Sequence, residues 1–172
     1  QLAIGYYKFF DLPVKIGRQF NTYGPRQSAR AVIPTIISQL LNGGESIELG
    51  NLSPTRDLTY VTDTCKGFHE IYNSDSLFGE VTNIGMNSEI SIGDLADLIA
   101  SIMNIDITIQ SSEKRIRPEN SEVERLVCDN TRLTNNTSWK PEYTLEKGIF
   151  EVIEWIENPK NLSMYKAEQY NV

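Results

Sequence analysis

The chain has 172 residues, 40% of them hydrophobic and 23% charged, which fits one globular domain with a sizeable core and excludes a disordered or fibrous protein. A formal net charge of −7 argues against nucleic acid as the main partner, since phosphate backbones are bound by basic faces, although a few arginines can still hold an anionic small molecule. No run approaches membrane-spanning length, the first residues lack the basic start of a signal peptide, and Cys65 and Cys128 have no CxxC spacing, so the chain is expected to be cytoplasmic, with reduced thiols and no metal site.

Leu2, Ala3, Tyr6, Tyr7, Phe9 and Phe10 form a helical pattern that begins at residue 1 without a cap signal, and Asp11-Leu12-Pro13 ends it. Val14 to Phe20 predicts a strand that runs into Asn21-Thr22-Tyr23-Gly24-Pro25, with Gly17 weakening it or admitting a close neighbour. Such a strand end exposes amides where open α/β sheets place ligands. Ile33, Ile36, Ile37, Leu40 and Leu41 predict a helix with Pro34 in its first turn and Asn42-Gly43-Gly44 as its stop. Ser46 to Gly50 and Arg56 to Val61 read as strands, Thr62 or Asp63 caps a helix to about Tyr72, and Glu80 to Gly85 reads as another strand.

Ser91, with Asp94 three residues on, opens a helix to about Met103, and Ile105 to Gln110 alternates as a strand. The polar run Ser111 to Ser121 predicts a loop long enough to be functional. Leu126 to Cys128 is a short apolar run, and Asp129 or Thr131 starts a brief helix through Leu133. Ile149, Phe150, Ile153 and Ile156 make Leu145 to Glu157 an amphipathic helix, which Asn158-Pro159 stops, and the tail to Val172 is expected to fray. Strands alternating with helices give an α/β fold.

Among polar residues, Asn21 reads either as an amide donor to a diphosphate or sugar oxygen or as an Asx-type turn residue. Arg56 can grip a phosphate with two parallel bonds or pair on the surface with Asp57, while Asp57 and Asp63 suit structural roles at a strand end and a helix cap. By periodicity alone Val32, Ile33, Ile47 and Leu49 are core, Ser91 is a helix cap, and Arg117 is a basic loop tip beside Lys114 and Arg115. His69, the single histidine, falls in mid-helix and suits packing or surface better than catalysis.

Arg18, Asn21, Tyr23, Gly24 and Pro25 match the RxxNxYGP motif of extended short-chain dehydrogenase/reductases that act on nucleotide sugars. RDLTYVTD, TNIG followed by a helix, and Arg117-Pro118 come in that family's order, so Gln1 to about Glu157 resembles the C-terminal half of nucleotide-sugar 4,6-dehydratases and 4-epimerases. RPENSEVERLVCDNTRL departs from the commoner RPGD and is similar to the branch that dehydrates UDP-N-acetylhexosamines on the way to legionaminic-type nonulosonic acids. The resemblance implies the last strands of a parallel Rossmann sheet plus a small substrate-binding α/β domain. Residues 1–30 would be a Rossmann remnant, 31–157 mostly the substrate-binding domain with a return strand near 80–85, and 158–172 a tail.

It also implies that Asn21, Arg56 and Arg117 contact the nucleotide sugar, the arginines clamping its diphosphate. Val32, Ile33, Ile47 and Leu49 would wall the nucleoside pocket, and Ser91 would lie near the phosphate or base. Gln19 falls beside the nicotinamide of the NAD cofactor, where relatives usually carry Pro or an aromatic. The intact protein is implied to be a homodimer. In the family a Tyr takes the sugar 4-hydroxyl proton, NAD takes the C4 hydride, and an acid/base pair eliminates water across C5 and C6. QLAIGYYKFF resembles the tail of the helix that carries the Tyr/Lys pair, so this chain is expected to hold neither the family's YxxxK pair nor its GxxGxxG turn. It is therefore expected to contribute no catalytic residue and to be inactive alone. The alternatives are a 4-epimerase of the same family and a non-catalytic nucleotide-sugar-binding module.

Overall fold

A computed structural model of the chain describes residues 1–112, 115 and 123–165. The first elements are α1 (Leu2–Phe10), β1 (Ile16–Gln19), β2 (Asn21–Tyr23), α2 (Val32–Leu41), β3 (Ser46–Leu49), β4 (Thr55–Arg56) and β5 (Leu58–Tyr60). Then come α3 (Val61–Asn73), β6 (Val81–Ile84), β7 (Ile90–Ser91), α4 (Ile92–Met103), β8 (Thr108–Ser111) and β9 (Arg125–Leu126). The described chain closes with α5 (Thr131–Asn136), α6 (Leu145–Glu157) and α7 (Pro159–Leu162). The chain divides into two compact units, Gln1–Thr22 with Asp57–Glu89 and Val127–Tyr143, and Tyr23–Arg56 with Ile90–Leu126 and Thr144–Val172.

In the first unit β1 and β6 run parallel, from Ile16 opposite Val81 to Gln19 opposite Ile84. α3 can lie close on these strands because a glycine stands at the contact on each side, Gly17 on β1 and Gly67 on α3. A Cβ at Gly17 would stand 2.4 Å from the Phe68 ring, and one at Gly67 would stand 2.6 Å from Ile84. Ile71, Leu77, Ile84, Leu133 and Trp139 form a buried cluster.

Two expected strands are broken by contacts distant in sequence. The strand foreseen from Val14 to Phe20 is β1 alone, and Asn21 opens a separate strand, β2, that pairs with β5. The strand foreseen from Arg56 to Val61 is cut at Asp57, whose carboxylate turns aside to accept from the Met86 amide at 2.8 Å and the Cys128 amide at 3.1 Å. Neither Thr62 nor Asp63 caps α3, which starts at Val61. Asp63 sits in its first turn and accepts from the backbone amides of Glu142 (3.1 Å) and Tyr143 (3.0 Å), fastening the segment just before α6.

In the second unit β3 and β8 run parallel, from Ser46 opposite Thr108 to Leu49 opposite Ser111. The Gln39 amide covers the other edge of β3, accepting from the Glu48 N–H at 2.8 Å and donating to the Glu48 carbonyl at 3.2 Å. α2, α4 and α6 pack on one another and bury Ile33, Ile36, Ile37, Leu40, Leu95, Ile99, Ile149, Val152 and Ile156. Two of these helices start at a side-chain cap, the one at Ser91 as expected. Ser91 accepts from the Asp94 amide at 3.0 Å, and Thr144 accepts from the Lys147 amide at 3.2 Å. β4 lies between β7 and β9, antiparallel to one and parallel to the other.

The tail does not fray where it is described. Asn158 accepts from the Lys160 amide at 3.0 Å, Pro159 takes the first helical position of α7, and Tyr165 beyond it is buried. Residues 166–172 lie outside the described residues.

Candidate functional site

Within the first unit, Arg18 and Gln19 end β1 with exposed side chains. Arg18 Nε donates to Asn83 Oδ1 at 2.8 Å, and Asn83 Nδ2 donates to the Asp129 carbonyl at 3.0 Å. Asn130 Nδ2 donates to the Gly85 carbonyl at 2.8 Å, so the end of β6 and the segment before α5 are laced together by two asparagines. Gly85 is required there, since a Cβ on it would meet the Cys128 Cβ at 2.3 Å. Burial, with the carboxylates of Asp57 and Asp129 nearby, pushes the Cys128 thiol up to about 12 and keeps it protonated and inert.

Asn21 stands apart from these satisfied groups. Its residue is half-buried, yet its side-chain nitrogen is shut off from solvent and meets no acceptor among the described residues. The hydroxyls of Thr59 and Thr82 share that condition, but both residues are fully enclosed in their strands. Unlike those two, Asn21 is partly accessible.

In the second unit, Arg56 is half-buried at the end of β4, where its Nη1 donates to the carbonyls of Thr55 at 2.8 Å and Val123 at 2.7 Å. The sheet β7-β4-β9 sets Ser91 opposite Thr55 and Ile90 opposite Arg56, which brings two of the foreseen site residues onto neighbouring strands. Ser91 donates its hydroxyl proton to Asp94 Oδ2 at 2.6 Å while accepting from the Asp94 amide, so its donor is engaged in the cap. Ile33, Ile47 and Leu49 are 1%, 0% and 3% exposed and belong to the core, whereas Val32 is half-buried. Arg117 lies outside the described residues, and of its loop only Ser111, Ser112 and Arg115 are described. Arg115 Nε stands 3.8 Å from a Glu48 carboxylate oxygen.

A YxxxK spacing does occur, against the expectation of its absence, at Tyr143 and Lys147. It does not form one helical face, because Tyr143 precedes the Thr144 cap of α6. The Tyr143 ring stacks on Tyr60 at 4.1 Å, and its backbone amide is held by Asp63. His69 is exposed and within reach of Asn73 Nδ2 at 3.1 Å. Among the described residues no three His, Cys, Asp or Glu side chains gather to hold a metal, and no helix is long and apolar enough to cross a membrane.

The carboxylate clamps at Asp57 and Asp63 and the Asn83–Asn130 lacing were missed as connectors. RDLTYVTD, TNIG and DNT mark them in sequence, but not their backbone partners many residues away.

The fold recurs in proteins of known chemistry. A dTDP-D-glucose 4,6-dehydratase of Dictyostelium discoideum is 30% identical over 93% of this chain and 44% of its own length. A UDP-N-acetyl-alpha-D-glucosaminuronate decarboxylase of Bacillus cytotoxicus is 30% identical over 93% of this chain and 51% of its own. The solved dTDP-glucose 4,6-dehydratase of Bacillus anthracis, in complex with NAD, superimposes with a TM-score of 0.79 at 29% identity, covering 92% of this chain and 49% of that one. The chain thus spans about half the length of the curated relatives it matches. The sequence model of the family described as GDP-mannose 4,6 dehydratase matches residues 1–152, and the chain belongs to that family of sugar-nucleotide dehydratases and epimerases with the extended short-chain dehydrogenase/reductase fold.

Proposed function

We propose that this chain is the nucleotide-sugar-binding portion, the C-terminal half, of an NAD-dependent nucleotide-sugar 4,6-dehydratase whose substrate is a UDP-N-acetylhexosamine. The observation that carries the reading is the Asn21 amide nitrogen, buried without an acceptor, a state that costs about 1–3 kcal/mol unless something fills it. An oxygen of a sugar or diphosphate is the acceptor that fits. Arg56 and Arg117 are proposed as diphosphate ligands, and the run SEVERLVCDNT favours the UDP-N-acetylhexosamine branch. Val32, half-buried, is the member of the apolar set proposed to face the nucleoside, with Ile33, Ile47 and Leu49 as buried backing, and Ser91 is proposed near the phosphate or base. The intact protein is proposed to be a homodimer.

The residues present do not by themselves fit NAD. No GxxGxxG turn opens a helix after a strand, and Gln19 at the exposed end of β1 is the one residue assigned toward the nicotinamide. The redox step therefore belongs to residues outside this chain, and what these residues do is bind and orient.

The test uses the full-length protein that carries this chain. It should convert UDP-N-acetylglucosamine to a 4-keto-6-deoxy product, and Asn21→Ala should weaken UDP-N-acetylglucosamine binding in calorimetry about fivefold to tenfold. Unchanged affinity in that variant would overturn the assigned role of Asn21. A 4-epimer as product would move the reading to an epimerase, and binding without turnover would favour a binding module.

A further inference from the structure

The turn Tyr23–Gln27 starts two residues after Asn21 and is held at both ends by tyrosine hydroxyls. Tyr23, buried, donates to the Leu145 carbonyl at 3.2 Å. At the far end Tyr165 donates to the Gln27 carbonyl at 2.8 Å, across 138 residues of sequence. Inside the turn Arg26 is an exposed non-glycine residue with φ 69°, a left-handed backbone that costs about 1–2 kcal/mol. The turn's own Gln27 N–H to Gly24 carbonyl bond is long, at 3.3 Å. The turn needs outside support to keep this shape.

That support is built with some care. Pro159 and the Asn158 cap start α7 immediately after α6, and Asn161 Nδ2 donates back to the Trp155 carbonyl at 2.7 Å. The reversed chain brings the Tyr165 ring edge-on to Trp155 at 6.0 Å, 7% exposed. Burial raises the phenol above its ordinary value, so the hydroxyl stays a donor throughout the neutral range.

We infer that Tyr165 is a positioning residue of the ligand turn: its hydroxyl, delivered by the folded segment after α6, holds the Gln27 carbonyl and keeps the strained Gly24–Arg26 backbone in its binding form. The inference rests on the reading above, that the segment after Asn21 serves a nucleotide-sugar site. The segment after α6 is thereby part of the site's framework, although it touches no ligand.

Tyr165→Phe in the full-length protein keeps the ring and removes the hydroxyl. The expected result is a rise of about fivefold in KM and in the UDP-N-acetylglucosamine dissociation constant, with kcat within about twofold of wild type. Amide exchange at Gly24 and at residues 26–28 should accelerate while the melting temperature holds. Tyr72→Phe, at an exposed ring, is the control, and Trp155→Leu, which removes the packing but keeps the hydroxyl, should shift exchange and affinity in the same direction. Wild-type affinity and unchanged turn exchange in Tyr165→Phe would overturn the inference. If the wild-type protein bound no nucleotide sugar, the functional reading would fail, whereas faster turn exchange in Tyr165→Phe would still support the tether.

Discussion

α1 and α6 are both helices rich in aliphatic and aromatic residues, and they meet opposite fates. α6 buries Ile149, Val152, Ile153 and Ile156 in its unit, and it starts at a Thr144 cap. α1 buries nothing among the described residues, has no side-chain cap at its first turn, and leaves Leu2 and Phe9 77% and 82% exposed. Periodicity tells which residues share a face, but only the packing tells whether another face meets it.

Substitutions can break or sharpen that contrast. The largest effect is expected in α6, where Ile149→Ala should lower unfolding stability by about 2–5 kcal/mol in denaturant titration, since it opens a cavity at a residue with no exposure. Thr144→Ala removes the cap and should cost about 1 kcal/mol, read the same way. In α1, Phe9→Ser should change the stability of this chain by no more than about 0.5 kcal/mol, because an exposed ring contributes little to the folded state. A loss above about 2 kcal/mol there would show that the α1 face is covered in solution, and the contrast with α6 would dissolve.

Much of the fold was legible. Ile36, Leu40 and Ile153 declare their helices through spacing, Ser91 declares a cap, and of the two roles open to Gly17 the structure shows the close neighbour, the ring of Phe68. Strand limits were less legible, because Asp57 and Asp63 choose backbone amides 29 to 80 residues away over local ones. Such partners have no local signature. The same reason explains the tail, where Asn158-Pro159 was foreseen to stop a helix and in fact also starts one.

At the candidate site, the motif residues Arg18 and Asn21 could be found by spacing, but not that Arg18 bonds Asn83 while the Asn21 nitrogen is left without an acceptor. The YxxxK spacing at Tyr143 and Lys147 gives the converse lesson. Residues four apart share a helical face only when both lie inside the helix, and Tyr143 lies before the cap.

The sequence by itself determined the family, the α/β alternation and the residue types available for holding an anionic sugar, because motif order and hydrophobic period are properties of the linear chain. The tertiary structure alone decided that Leu2 and Phe9 of α1 stay exposed, that Asp57 and Asp63 hold distant backbone amides, and that Tyr165 closes on Gln27. Each of these outcomes depends on what lies opposite a residue in space, and a one-dimensional pattern carries no record of that.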